Sequence, residues 1–319
     1  MARATQKSLE VPSVLDNARL DKVVMALVEC SRAEARRLLG AGRIQVGSKI
    51  CKIAAKRLKE GTRVALVGEE PPARSEQSGA SELQIVHLDT HIVVVNKPPA
   101  LLSERDRHGG PSVESILPSL IPRDAKGPRP DELWLCHRLD ATTSGILLLA
   151  RKASANRKLQ VAFRERLAEK TYLAWVGGKL DKARWVDAPI DRVKGTKHGV
   201  VEGGKPSRTY FEPLWVGDGI SLVCARPKTG RTHQIRVHLA HLGCPILGDR
   251  LYGGLMYLPE SRTPVRRALL HAQALSVTHP QSNKLTEYRV APPGDFRDVA
   301  KELSLELDWE ILGRVKKED

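Results

Sequence analysis

The chain has 319 residues, 41% hydrophobic and 28% charged, enough to bury one large core and a smaller one. No apolar run reaches the roughly 20 residues that a membrane helix needs, and Met1 to Pro12 lacks the apolar core of a secretory signal, so a cytoplasmic protein is expected. A net charge of +15 and a pI near 9.8 attract a polyanion through counterion release; without a lipidation motif or basic amphipathic anchor, nucleic acid is favoured over a membrane surface.

The five cysteines, Cys30, Cys51, Cys136, Cys224 and Cys244, form no Cys-x-x-Cys pair and are read as reduced thiols rather than as a disulfide framework or zinc site. Leu20, Val23, Val24 and Leu27 recur at helical spacing. Ser31, with Glu34 three residues on, announces a second helix through a capping box, and Gly40 ends it. Arg43 to Val46, a Gly47-Ser48 turn and Thr62 to Val67 predict short strands. From Arg19 to Leu66 twelve Lys or Arg stand against four Asp or Glu. Such a run is ordinarily a solvated helix face, but Arg32, Arg36, Arg37 and Arg43 gather where the second helix meets the first strand. The segment "RLDKVVMALVECSRAEARRLLGAGRIQVGSKI" resembles the small RNA-binding domain named after ribosomal small-subunit protein S-four. The resemblance implies a small α/β RNA-binding domain over 13–67 in which those four arginines meet structured RNA.

The run GEEPPARSEQSGAS over 68–81 is Pro, Gly, Ser and charge without apolar periodicity, and reads as a linker. It leaves 82–312 as a larger domain. Gln84 to Leu88, Ile92 to Asn96, Ile146 to Ala150, Tyr172 to Val176, Ser221 to Ala225 and Thr286 to Val290 predict strands. Ser112 to Leu117, Ser154 to Arg166, Thr232 to Leu242 and Phe296 to Leu303 behind an Asp295 cap predict helices. Without strict βαβ alternation, the expected fold is α+β around a mixed, mainly antiparallel sheet.

Asp140 lies in "LWLCHRLDATTSGILLLARK", between two strand-like runs. An isolated Arg-x-Asp is most often a turn aspartate with a surface partner, but His-Arg-Leu-Asp followed by Thr-Ser-Gly is a rarer string. Here the chain resembles the RluA family of pseudouridine synthases, over nearly everything after the linker. "VVVNKPPALL" is similar to the family's Asn-Lys-Pro segment, "HRLDATTSGILLLAR" to its catalytic loop, "EKTYLAWVGG" to its tyrosine strand and "ARPKTGRTHQIRVHLAHLGCPILGDRLYGG" to its arginine motif. Ala100 stands where the family commonly has glycine, and "LLSERDRHGG" replaces its usual continuation.

The resemblance implies a pseudouridine synthase fold and an isomerase that converts uridine to pseudouridine without a cofactor. The reaction breaks the bond from base N1 to sugar C1′, turns the base and joins C5 to C1′, so it needs a carboxylate near C1′. Asp140 takes that role, with Arg236 as its two-pronged guanidinium partner and Arg231 as second choice. Tyr172, otherwise read as a core aromatic, would lie against the uracil and could help remove the C5 proton. Arg138 and His137 would support a flipped nucleotide, and Lys97 in the Asn-Lys-Pro segment would contact RNA. His233, His238 and His241 suggest a metal at first sight, but Arg231 and Arg236 in the same segment would repel a cation. The expected partner is RNA, with large-subunit ribosomal RNA favoured over transfer RNA, and the chain is expected to act as a monomer. A non-catalytic RNA-binding or ribosome-assembly factor has no need for Asp140, Tyr172 and both arginines together. A nucleic-acid hydrolase would want a metal or a second carboxylate, and Glu165, Glu169 and Asp249 are not evidently placed for that.

Overall fold

The computed structural model describes residues 8–40, 43–47, 49–51, 53–67, 83–105, 110–122, 125–128 and 132–314. The chain divides into two compact units, Met1–Ser75 and Glu76–Asp319; the expected linker 68–81 lies outside the described residues. Among the described residues, no helix is long and apolar enough to cross a membrane.

In the first unit, α1 (Leu20–Val28) and α2 (Arg32–Gly40) accompany a sheet of β1 (Ser8–Glu10), β6 (Arg63–Leu66), β3 (Ile44–Val46) and β4 (Lys49–Ile50), in that order. A short pair, β2 (Ala18–Arg19) with β5 (Arg57–Leu58), stands apart. Leu20, Val23 and Val24 of α1 pack with Ala35, Leu38 and Leu39 of α2 and with Ile44 and Val64. The capping box of Ser31 with Glu34 rests on the Glu34 side chain, which is outside the described residues.

A carboxylate enters this core. Asp21, fully buried in the first turn of α1, faces Arg19 at 3.1 Å, Arg32 at 3.2 Å and Arg36 at 3.4 Å. Hydrogen bonding to Arg19 outweighs burial and, with Arg32, holds the carboxyl at about 2. The sequence showed a basic surface; the fold gives it a buried anionic anchor. Arg32 and Arg36 keep more than half of their side-chain surface open, whereas Arg43 is buried, which removes it from the expected RNA-contact set. The Arg37 side chain lies outside the described residues.

The second unit is built on a ten-stranded sheet. Its main path runs β12 (Arg184–Asp187), β15 (Arg208–Val216), β16 (Ile220–Pro227), β11 (Glu169–Gly177), β17 (Leu270–Thr278), β10 (Ser144–Ala150), β8 (Ile92–Lys97), β7 (Gln84–Leu88). β18 (Leu285–Arg289) pairs with β17, and β9 (Trp134–Leu135) with β10. All these pairings are antiparallel except β10 with β17. A hairpin, β13 (Ile190–Lys194) with β14 (Lys197–Val200), completes the strands.

The central strands are apolar on both faces because both are covered. On one face, Val93, Val95, Leu147, Leu149, Tyr172 and Ala174 meet Val113 and Leu117 of α3 (Val113–Leu120) and Ile235 and Leu239 of α5 (Gln234–His241). On the other, Ile92, Val94, Ile146 and Leu148 pack on Ala155 and Leu159 of α4 (Ala153–Arg164). Leu173 and Trp175 pack on Phe296 and Val299 of α6 (Gly294–Glu302). The fold is the expected α+β arrangement around a mixed, mainly antiparallel sheet. Asp295 does not cap α6, whose N-cap is Pro293; it instead accepts two hydrogen bonds from Arg267, at 2.6 and 2.8 Å.

The parallel join explains the Gly of Thr-Ser-Gly. Ser144 and Gly145 register with His271 and Ala272, and a side chain on Gly145, at φ +113°, would lie 2.2 Å from the Ala272 carbonyl oxygen. Only glycine lets β10 start this close to β17, and that contact carries the preceding loop, with Asp140, to the middle of the sheet.

Candidate active site

The Asp140 loop is pinned from below. Lys97, fully buried, donates its Nζ to the carbonyls of Pro98 at 2.9 Å, Leu101 at 2.7 Å and Ala141 at 3.3 Å. Burial first, then the charge of Arg267, lowers the amine to about 7 against the opposing pull of Asp140. Lys97 therefore ties two loops together, and the expectation that it contacts RNA is corrected: it has no open surface. Ser103 reinforces the same seam, donating to the Leu139 carbonyl at 2.9 Å and accepting from the Leu139 N–H at 3.0 Å.

Asp140 itself remains 29% exposed. Arg236, at the start of α5, donates Nη1 to Asp140 Oδ2 at 3.1 Å. Its two-pronged grip goes elsewhere: Nε and Nη2 donate to Asp249 Oδ2 and Oδ1 at 2.6 and 2.9 Å. Burial would lower the guanidinium's affinity for its proton, but Asp249 and then Asp140 outweigh it and raise the pKa. The bidentate partner is thus Asp249, not Asp140. Among the described residues no protein donor meets Asp140 Oδ1, so one oxygen is oriented by its twin and left open to the cleft.

Three residues beside this pair were not picked out from sequence as site residues. Asp249 is buried, and its Oδ1 also accepts the Leu251 N–H at 3.2 Å. It sits in a tight turn whose Gly248 (φ +77°) and Gly254 leave no room for a side chain, at 1.9 and 1.8 Å from backbone oxygens. Tyr252 from the same turn lies 5.0 Å under the Arg236 guanidinium. Its hydroxyl accepts the His198 N–H at 3.1 Å and meets His233 Nδ1 at 2.9 Å. The other ring nitrogen of His233, Nε2, lies 3.8 Å from Asp140 Oδ2. His233 holds a left-handed backbone, φ +57°, at the N-cap of α5, a strained conformation of the kind that clusters at functional sites. The signal was "GDRLYGG" itself, in which glycines bracket one Asp and one Tyr.

Tyr172 is buried at the cleft floor. Burial first and the Asp140 charge second raise its phenol above the ordinary range. His137 accepts the Leu148 N–H through Nε2 at 3.1 Å and stacks on Phe163 at 5.0 Å. Burial, then Lys170, pushes it down to about 3; it is a neutral structural ring at the cleft wall. Arg138 is exposed and pairs with Glu104 at 2.9 Å, a surface contact weak enough to release. Arg231 lines the cleft but donates its Nε to the Pro206 carbonyl at 3.2 Å rather than to Asp140. His238 is enclosed between Thr209 Oγ1 at 2.9 Å and the Ala188 carbonyl at 3.0 Å, away from His233. The cleft, about 1900 Å³, runs from Leu102 past Asp140 and Tyr172 to Trp185 and Arg231.

A family model described as RNA pseudouridylate synthase matches residues 91–241, and one described as S4 domain matches 18–64. The ribosomal large subunit pseudouridine synthase D of Nitrosomonas europaea is 32% identical over 297 residues, covering 90% of this chain and 85% of the relative. The dual-specificity RNA pseudouridine synthase RluA of Escherichia coli is 39% identical over 220 residues, 67% of this chain and 94% of the relative. Among solved structures, human RNA pseudouridylate synthase domain containing 4 matches with a TM-score of 0.57 at 27% identity, covering 73% of this chain and 98% of that one. With the Asp140 cleft on the sheet and an S4 domain ahead of it, the chain belongs to the RNA pseudouridylate synthase family and is an RNA-modifying isomerase.

Proposed function

We propose that this protein isomerises uridine to pseudouridine in large-subunit ribosomal RNA, with Asp140 acting at C1′ of a flipped nucleotide. The observation that carries the proposal is the paired arrangement of Asp140: Arg236 holds Oδ2 at 3.1 Å, no protein donor among the described residues meets Oδ1, and Asp140 lines one cleft with Tyr172. As N1 departs, C1′ gains positive character, and an oriented carboxylate oxygen meets it either as nucleophile or as the base for a sugar proton. Tyr172 packs against the uracil. Extrusion of the nucleotide costs a few kcal/mol, and Arg138, once released from Glu104, occupies the vacated stack or its phosphate.

The Nitrosomonas europaea relative, named for the large ribosomal subunit, supports ribosomal RNA as the substrate class. In this reading 13–67 grips structured RNA through Arg32, Arg36 and Arg37, and 82–312 performs the chemistry, as a cytoplasmic monomer. The purified protein releases tritium from RNA labelled at uracil C5, and Asp140→Ala abolishes release while RNA binding stays at the wild-type level. Activity that persists in Asp140→Ala refutes the role of Asp140. Mapping pseudouridines in cells with and without the gene decides between ribosomal and transfer RNA.

A further inference from the structure

The cleft has a second wall that the chemistry at Asp140 does not use. On β12, the outermost strand at one edge of the sheet, Trp185 is opposite Tyr210 of β15, and Tyr210 is opposite Arg226 of β16. Opposite residues share a face, so the three form one ladder. The indole and phenol centroids are 5.1 Å apart, the Arg208 guanidinium lies 4.2 Å over the indole, and Arg226 is 5.9 Å from the Tyr210 ring. Trp185 is nevertheless 43% exposed, although tryptophan is among the side chains that gain most from burial.

Its place in the molecule gives that exposure a use. Trp185, Tyr210 and Arg226 line the same cleft as Asp140 and Tyr172. The volume of about 1900 Å³ exceeds the roughly 300–1,000 Å³ that enclose a small ligand, so one uridine leaves much of it unfilled. From β11, which carries Tyr172, to β12 is three strand steps, about 14 Å at ~4.8 Å each. That is too far for the target base itself and within reach of the strand attached to it.

The local charges are already matched: Arg226 with Glu212 at 2.8 Å, Lys228 with Glu169 at 3.7 Å, Arg208 with Asp187 at 3.9 Å. This wall therefore offers flat π surface rather than uncompensated charge. We propose that Trp185 and Tyr210, braced by Arg208 and Arg226, form a stacking platform for an unpaired base on the RNA strand whose uridine is bound beside Asp140. The proposal rests on the RNA-modifying reading of the cleft and extends it to a second subsite.

Binding of a fluorescein-labelled oligouridylate, followed by anisotropy across a salt series, tests it. Trp185→Ala weakens binding about 5- to 150-fold, the range for one base–aromatic stack, and Trp185→Phe keeps most of the affinity. Because the platform adds no unpaired charge, the slope of log K against log salt is the same in Trp185→Ala as in wild type. With C5-tritiated RNA, Trp185→Ala raises KM and leaves kcat within about twofold. Irradiation of the wild-type complex with a 5-bromouridine oligonucleotide gives adducts at Trp185 or Tyr210, a readout that needs no variant to fold. Wild-type affinity in Trp185→Ala, a loss accompanied by a shallower salt slope, or the absence of adducts at both rings overturns the platform. A failure of the catalytic reading looks different: the wild type then releases no tritium, whatever Trp185 does.

Discussion

Replacing Asp249 by Asn isolates what holds the catalytic arginine. In the wild type, buried Arg236 donates two hydrogen bonds to Asp249, at 2.6 and 2.9 Å, and one to Asp140, at 3.1 Å. The amide keeps the shape but loses the charge and turns an NH2 toward a guanidinium that has only donors. Breaking one side of a buried pair costs about 3–5 kcal/mol; Asp140 remains as a partial counter-ion, so the lower end, about 3 kcal/mol, is expected. At roughly 2–4 °C per kcal/mol for a unit of this size, thermal unfolding shifts down by roughly 6–12 °C. Arg236 then drifts toward Asp140, ties up the oxygen that should face C1′, and kcat in the tritium-release assay falls roughly 10- to 100-fold, equivalent to about 1.4–2.7 kcal/mol of barrier. Asp140→Asn is the control. Arg236 keeps its bidentate partner, stability changes by less than about 1 kcal/mol, and activity disappears. The reasoning is refuted if Asp249→Asn unfolds and turns over like the wild type, or if Asp140→Asn is the more destabilising of the two.

Ala100 holds a left-handed backbone, φ +66°, with its N–H bonded to the Ala141 carbonyl at 2.8 Å. Ala100→Gly relieves about 1–2 kcal/mol of strain against about 0.4–1 kcal/mol of added unfolded-state freedom, so denaturant unfolding reports a net gain of about 0.8 kcal/mol, and a loss contradicts the account. His271, fully buried between Ser144 and the Val290 carbonyl, is held down to about 4, first by burial. Its pKa is lowered on folding, so the unfolded chain binds the extra proton and stability is lost as pH falls from about 6.5 toward 4. Urea unfolding at pH 5.5 against 7.5 shows a drop of about 1.4 kcal/mol from this ring, which His271→Gln removes; an equal drop in that variant refutes it. Changing Arg32 and Arg36 together to Ala lowers the salt slope of RNA binding by about 2 if each meets one phosphate, and an unchanged slope shows that the contacts lie elsewhere.

Much of this molecule is written locally. The apolar runs of β8, β10 and β11 are legible because strands covered on both faces need unbroken hydrophobicity, and the Asp140 loop is legible because it leads directly into one of them, β10. Other strands were not legible, among them β15, β17 and β12. β15 contains Pro213, tolerated at a register shift. β17 carries buried His271 and Gln273, polar groups whose hydrogen-bond partners, Ser144, Val290 and Trp309, come from elsewhere in the chain. β12 is short and mostly exposed. The same limit governs the site. A lysine in a loop reads as a hand held out to RNA until the fold encloses it beneath three carbonyls, as with Lys97. An arginine and a carboxylate in two motifs read as a two-pronged pair until a third residue takes two of the arginine's donors and leaves the carboxylate one. Asp140 and Arg236 are recognisable from sequence because their chemistry demands those residue types. Asp249 as the bidentate counter-ion, and one oxygen of Asp140 left open, depend on which side chains share a buried space across 109 residues of chain, from 140 to 249. Packing and desolvation decide that, and they act only once the sheet is assembled.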